Sequence, residues 1–317
     1  MPDSPVQHAG RGVARAGSPA DRRGREVDGV EVRGALSPSR AADFMTCPLL
    51  YRFRTVDRLP EPPSPDAVRG TLVHRVLEEL FDLPAGSRTP ERAASMVEPT
   101  WSALVEAEPD AAGMFGPEGP DVAAWLQSCR GAVERWFSLE DPRRLEPAER
   151  ELYVEALLDS RLLLRGFVDR LDVAPDGRLR VVDYKTGRAP GPLFEARALF
   201  QMRFYALVLW RARGVVPSVL QLVYLGSGEV LRHEPDEAEL RATERKVEAL
   251  WRAIRRAEET GDWRPSPGRL CAWCTHHQHC PAQGGTPPPL PVLPVPAVPQ
   301  DPAGDLVETD AGITARP

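Results

Sequence analysis

The chain has 317 residues, 42% of them hydrophobic, which is enough for one large domain or two small ones. A net charge of −6 excludes a polybasic protein that coats nucleic acid, so any contact with a polyanion must use a local basic stripe. No apolar run reaches membrane-span length and the N-terminal stretch lacks the apolar centre of a secretory signal, so a cytoplasmic location without a membrane partner is expected.

In chain order, residues 1–35 are rich in Gly, Pro and Arg without periodicity and read as a disordered arm. Residues 37–51 begin with a Ser cap in SPSRAADF and predict a short helix. Residues 68–82 predict an amphipathic helix whose stripe is Leu72, Val73, Val76, Leu77, Leu80 and Phe81. Further helices are expected near 91–107 and 121–139, and strands near 149–157, 161–173 and 178–186. A long helix follows at 193–213, then strands at 218–225 and 229–233 joined by Gly226-Ser227-Gly228. The last helix spans 236–260, with a stripe of Leu240, Val247, Leu250, Trp251 and Ile254. Residues 36–281 thus read as one domain, and 282–317, with PPPLPVLPVPAVPQDP, as a disordered, polyproline-like tail that is either solvated or a docking peptide.

The segment RLLLRGFVDRLDVAPDGRLRVVDYKTG carries the densest chemistry. Two strand-like runs flank the turn Pro175-Asp176-Gly177. In a three-residue loop Ala174 pairs with Arg178, and the same register sets Asp169 opposite Asp183 with side chains on one face; a bulge would shift it by one. Lys185, two residues beyond Asp183, shares that face. Facing carboxylates repel unless a cation lies between them, and oxygen ligands in this arrangement suit Mg²⁺ or Mn²⁺. Lys185 and Lys246 are the only lysines among 40 basic residues, so a lysine here is a chemical choice: a compact ammonium able to neutralise charge on a phosphate. The competing reading is a surface hairpin with ordinary charges.

GFVDRLD…VVDYKTG resembles the signature of the PD-(D/E)XK nuclease superfamily, in the branch similar to the RecB nuclease domain. Gly70-Thr71-Leu72-Val73-His74 is similar to that branch's upstream histidine motif, and Gln201-Met202-Arg203-Phe204-Tyr205 to its Gln-xxx-Tyr motif. The resemblance implies an α/β fold, a restriction-endonuclease-like αβββαβ core with a mixed central sheet and added helices. It implies Asp169 and Asp183 as metal ligands, Lys185 as the catalytic lysine and His74 as a further metal ligand. Read without the resemblance, His74 is more simply hydrogen-bonded to Glu78 one turn on. A glutamate on the preceding strand is implied as well; Glu151 fits best, with Glu149 and Glu155 as neighbours. Gln201 and Tyr205, at i and i+4, share one helix face and are able to contact a phosphate or position the lysine.

Of five cysteines, four are spaced as a set: Cys47, and Cys271-Ala-Trp-Cys274-Thr-His-His-Gln-His-Cys280. This pattern resembles iron–sulfur nucleases related to AddB and to CRISPR adaptation nucleases, and implies a [4Fe–4S] cluster stapling the ends of the domain. Zn²⁺ is the alternative, because His276, His277 and His279 lie among the cysteines. Cys129 has no spaced partner and reads as a small buried apolar residue. No GxxxxGK[ST] loop occurs, so an ATP motor such as a helicase would be a separate partner. The expected function is a metal-dependent DNA nuclease, an exonuclease on single-stranded ends in repair or recombination. The alternatives are a CRISPR spacer-processing nuclease and an inactive DNA-binding scaffold of the same fold.

Overall fold

The computed structural model describes residues 26–291 apart from 28 and 116–118. A hairpin of β1 (Glu26–Val27) and β2 (Val30–Glu31) leads into β3 (Gly34–Leu36). Helices α1 (Pro38–Thr46) and α2 (Pro48–Tyr51) follow, the second running into a π-helical turn at Arg52–Val56. Then come α3 (Pro65–Leu80), α4 (Pro90–Ala107), α5 (Val122–Trp136), β4 (Glu149–Leu157), β5 (Leu162–Val173) and β6 (Leu179–Lys185). The order closes with α6 (Pro192–Arg213), β7 (Val219–Tyr224), β8 (Glu229–His233), α7 (Glu237–Thr260) and short 3₁₀ turns.

The α/β architecture expected from the sequence is present: a six-stranded mixed sheet between two helical layers. Strand order is β3-β5-β6-β7-β8, with β4 on the other edge of β5. β3 runs parallel to β5 and β6 parallel to β7, while the other pairs are antiparallel. Alternating side chains feed the two faces. Val181, Leu220 and Leu222 pack with α1, α2, α6 and α7, and Val182, Tyr184, Val223 and Leu225 with α3, α4 and α5. Helix α6 carries buried residues all round, from Phe200 through Leu209, because it lies between the sheet and α7.

Strand β5 decides where the site forms. One edge is paired by β4 almost throughout. The other edge is paired by β3 at residues 162–164 and by β6 at 170–173. Between these ladders β3 and β6 diverge, and the opening is where the polar residues of the hairpin converge. Gly166 lies in it: a Cβ there would meet the Tyr205 ring at 2.6 Å, so glycine gives that tyrosine its place.

Three sequence expectations need correction. Part of the presumed disordered arm (1–35) is structured, since β1 and β2 fall within residues 26–35 and β3 starts there; Val32 and Ala35 bury against Leu163. Burying a valine contributes about 1.5–3 kcal/mol, which offsets part of the entropy lost in ordering the segment. Residues 1–25 lie outside the described residues. The helix expected over 37–51 is broken at Cys47, which is extended because Pro48 follows it. The first part of the tail expected to be disordered over 282–317 is docked: Arg52 donates to the Pro288 carbonyl, and Thr286 N donates to Gln278 O at 3.2 Å. Residues 285–291, the described part, form neither helix nor strand, and the Pro288 carbonyl remains an acceptor. Residues 292–317 lie outside the described residues.

Candidate active site

The hairpin has the register expected from its turn. Gly177 N donates to Ala174 O, and Ala174 N to Arg178 O at 2.9 Å. The ladder proceeds from Val173↔Leu179 to Arg170↔Val182 and ends there. One step on, Tyr184 N donates to Asp169 Oδ2 at 2.7 Å, so a side chain replaces the main-chain acceptor and the strands separate.

On the far edge, Glu151 lies between the pairs Arg150↔Arg170 and Leu152↔Val168, opposite Asp169. Its φ is +44°. A left-handed conformation costs a non-glycine residue about 1–2 kcal/mol, and the ladders on both sides hold it there. β4 changes face at this point. Leu152, Val154 and Ala156 pack on the α6 side, whereas Arg150 reaches α3 and donates to Glu78 O at 2.5 Å. The reversal aims the Glu151 carboxylate at Asp169.

His74 completes the group. The apolar stripe of α3 seats the helix on the sheet, with His74 at its border. Its partner is the Tyr184 carbonyl: Nε2 donates to that oxygen at 2.9 Å. The tautomer so fixed turns the Nδ1 lone pair toward Asp169 Oδ2, 3.5 Å away. One ligand atom each from His74, Glu151 and Asp169 lie within 4.8 Å of one another. Burial, then the Asp183 charge, push the Asp169 carboxyl up to about 7, and burial raises Glu151 as well. One imidazole and crowded carboxylates short of positive charge fit a divalent cation.

Asp183 stands beside this group, outside the set of ligand atoms that lie within 4.8 Å of one another, and its charge acts directly on Asp169. It is 2% exposed, and its buried Oδ2 accepts no hydrogen bond, only the charge of a neighbouring ammonium. Oδ2 is 2.7 Å from Lys185 Nζ, and Oδ1 accepts from Gln201 Nε2 at 3.0 Å. Lys185 Nζ also donates to Gln201 Oε1 at 2.9 Å, closing a ring of Asp183, Lys185 and Gln201. The Tyr205 hydroxyl is 3.2 Å from Gln201 Nε2, and burial raises its pKa. Lys185 borders an open cavity of about 510 Å³ shared with His74, Arg188, Arg197 and Tyr224.

Glu151 was foreseen as a catalytic glutamate; its place in the ligand group follows from its backbone conformation, which no residue type signals. Also missed was the role of Tyr184, whose N–H and C=O orient Asp169 and His74. Main-chain groups leave no mark in a sequence beyond the spacing of their neighbours.

The acidity of Asp169 has a measurable sign. An unfolded aspartate titrates near about 3.9. The folded protein therefore keeps an extra proton between about pH 4 and 7, and stability of the metal-free chain falls as pH rises through that window. A cation that binds the ionised carboxyl reverses the loss. Mn²⁺ is expected to raise Tm more at about pH 8 than at about pH 5. An increment equal at both pH values in a melting series would contradict this assignment.

The four spaced cysteines meet at a second place. Cys47, Cys271, Cys274 and Cys280 line one cavity of about 520 Å³ between the α1–α2 break and the final 3₁₀ turns. Ser266 N donates to Cys47 Sγ at 3.4 Å and Gly268 N to Cys271 Sγ at 3.3 Å. Among the described residues, no three of these thiols, alone or with histidines, bring ligand atoms within 4.8 Å of one another. A tetrahedral zinc with Zn–S near about 2.3 Å needs sulfurs roughly 3.8 Å apart. His276 is 2% exposed and bonded through Nε2 to Glu61 Oε1 at 2.6 Å, while His277 Nε2 donates to Cys271 O. The four thiols thus share one cavity without converging on one point among the described residues. Cys129 is buried between α3, α4 and α5, its thiol pushed up to about 11 by burial.

No described helix is long and apolar enough to cross a membrane. The family model of the PD-(D/E)XK nuclease superfamily matches residues 35–281. The gene 69 protein of Mycobacterium phage D29 is 28% identical over 203 residues, 56% of this chain and 70% of the phage protein. A candidate exonuclease from Eubacterium rectale has a solved structure similar to this one at a TM-score of 0.52 and 14% identity, over 76% of this chain and 87% of that one. That likeness shows a shared fold.

Proposed function

Because the chain belongs to the PD-(D/E)XK nuclease superfamily, we propose that it hydrolyses DNA phosphodiesters with Mg²⁺ or Mn²⁺ at the centre built on Asp169. The observation that carries this reading is the contiguity of two devices: the ligand group His74, Glu151 and Asp169, and the ring of Asp183, Lys185 and Gln201. When bound, a divalent cation supplies Lewis-acid polarisation of the scissile phosphate. The remaining work belongs to side chains. Lys185 presents an ammonium that neutralises charge developing on the phosphate and orients the attacking water. Gln201 fixes that ammonium from one side and Asp183 from the other, and Tyr205 steadies Gln201. His74 is held in its ligand tautomer by Tyr184 O.

The finer reading is an exonuclease on single-stranded ends, working in repair or recombination with any helicase as a separate partner. End-labelled and circular single-stranded DNA incubated with Mg²⁺ or Mn²⁺ separate the possibilities. Shortening of the linear strand alone, abolished by EDTA, is the expected result. Intact linear DNA under both metals would reject the hydrolase and leave an inactive DNA-binding scaffold.

The thiol cavity supports a [4Fe–4S] cluster on Cys47, Cys271, Cys274 and Cys280, with two main-chain N–H groups aimed at the sulfurs. It would join chain segments more than two hundred residues apart, where closing the loop removes much unfolded-state entropy. Purified protein is expected to be brown, with broad absorbance near about 400 nm. Colourless protein with stoichiometric zinc overturns the assignment.

A further inference from the structure

Tyr153 and Phe167 are the exposed aromatic pair nearest the candidate centre. They are direct partners across β4 and β5, with ring centroids 5.2 Å apart. They remain 38% and 44% exposed. Cross-strand aromatic pairs ordinarily close over an apolar core, yet these rings border an open groove of about 420 Å³. Their register places them two residues from Glu151 and Asp169, roughly 7 Å along the strands. Gln201 and Tyr205 line the same groove, and Gln201 is bonded to both Asp183 and Lys185. The groove is therefore continuous with the candidate active site.

Its charge is unlike that of the whole molecule. In a chain of net charge −6, Arg40, Arg165 and Arg197 line this one groove. Arg197 is solvent-exposed and also borders the cavity beside Lys185, so it spans both openings. Glu155 is the acid on this face; it accepts from the Tyr153 hydroxyl at 2.6 Å and is paired in register with Arg165. Flat rings, flanked by guanidinium groups and leading to a phosphate-directed lysine, match a polyanion whose subunits carry aromatic faces.

We propose that Tyr153 and Phe167 form a stacking platform for unpaired nucleobases, which delivers a single strand of DNA to the Asp169 centre with its backbone along the exposed Arg197. Stacking is blind to sequence, because every base has a π face, and it requires unstacked bases, which a duplex does not offer. The platform accounts physically for a single-strand preference that the catalytic residues alone do not impose. It rests on the nuclease reading given above, but its test does not use hydrolysis.

The test is binding of a fluorescent oligothymidylate of about 12 nucleotides to the full chain in EDTA, beside an abasic strand of equal length and a duplex. The Tyr153→Ala, Phe167→Ala double variant is expected to bind oligothymidylate at least about tenfold more weakly than wild type, with abasic-strand affinity unchanged. The pair Tyr153→Phe, Phe167→Tyr keeps wild-type affinity, whereas Tyr153→Leu, Phe167→Leu, which retains apolar strand packing, loses it as the alanines do. Equal oligothymidylate binding by wild type and the alanine variant overturns the platform. So does an equal loss on the abasic strand, wild-type affinity in the leucine variant, or a dimer of this chain dissolved by the same substitutions. Ring-independent binding beside intact hydrolysis would sink the platform and spare the nuclease; ring-dependent binding without hydrolysis would do the reverse.

Discussion

Replacing Lys185 by alanine is expected to lower DNA hydrolysis by about 10²–10³-fold while leaving the fold intact, the size of loss seen when one charge-stabilising donor is removed from an active site. Lys185 ends strand β6, is only partly buried, and makes its two polar contacts inside the site, to Asp183 Oδ2 and Gln201 Oε1. Its removal leaves no large cavity in either core. The loss should fall on the chemical step, with substrate binding changed little, because the ammonium faces charge that grows only in the transition state. Lys185→Arg is not expected to rescue activity. The place between a carboxylate and a side-chain amide is sized for a compact ammonium, and a planar guanidinium there displaces Gln201. Single-turnover rates and melting curves of the three proteins check this. Arginine at wild-type rate, or alanine within a few-fold of it, would remove Lys185 from the mechanism.

The second large effect concerns stability. Arg170→Ala is expected to cost about 3–5 kcal/mol, the penalty for stripping one partner from a buried ion network. Arg170 is 1% exposed, on the opposite face of β5 from Asp169. It makes two bonds of 2.8 Å to Glu140, pairs with Asp172 at 3.1 Å and touches the Tyr184 hydroxyl. Glu140 in turn accepts from Trp136 Nε1 and Gln221 Nε2. Burial pushes the Glu140 carboxyl up; the Arg170 bonds and charge outweigh it and hold the group below its ordinary range. Without the guanidinium, the buried Glu140 keeps two neutral donors but no cation in contact, while Asp172 retains Arg180. In a domain of this size the loss corresponds to a fall in Tm of roughly 10 °C near neutral pH. The deficit should shrink on acidification, as Glu140, no longer held low by Arg170, becomes neutral in the variant. The double variant Arg170→Ala, Glu140→Ala should lose less than the sum of the single changes. A Tm within about 2 °C of wild type for the single variant would show that solvent or a repacked neighbour replaces the cation.

Legibility in the sequence followed the range of the physics involved. The register of β5 and β6 was readable because a short turn sets it locally, and Pro175-Asp176-Gly177 names that turn. Helices α3 and α7 were readable from their stripes, whereas α6, buried all round, has none. β3 was not: three residues pairing in parallel with a strand more than a hundred positions away leave no periodic trace. The break at Cys47 was foreshadowed by Pro48, whose restriction on the preceding residue outweighs an otherwise helical pattern. Arg170 hid in plain view, since a charged residue in a strand ordinarily signals the solvated face. Its neighbours Asp169 and Asp172 made it look like more of the same surface. Glu151 was found as a residue type, but its left-handed backbone, which decides where its carboxylate goes, belongs to the assembled sheet.

The peptide unit at Tyr184 joins two parts of the molecule that sequence treats separately. Its ring packs against Trp136 beside the Arg170 network, while its own N–H and C=O hold Asp169 and His74. Displacing that ring shifts the N–H donor and the C=O acceptor at once. Substitutions deep among α3 and α5, with no group near the cation, should therefore weaken its affinity in proportion to the disorder they introduce, so that an ion titration gauges how well the interior behind the sheet is packed.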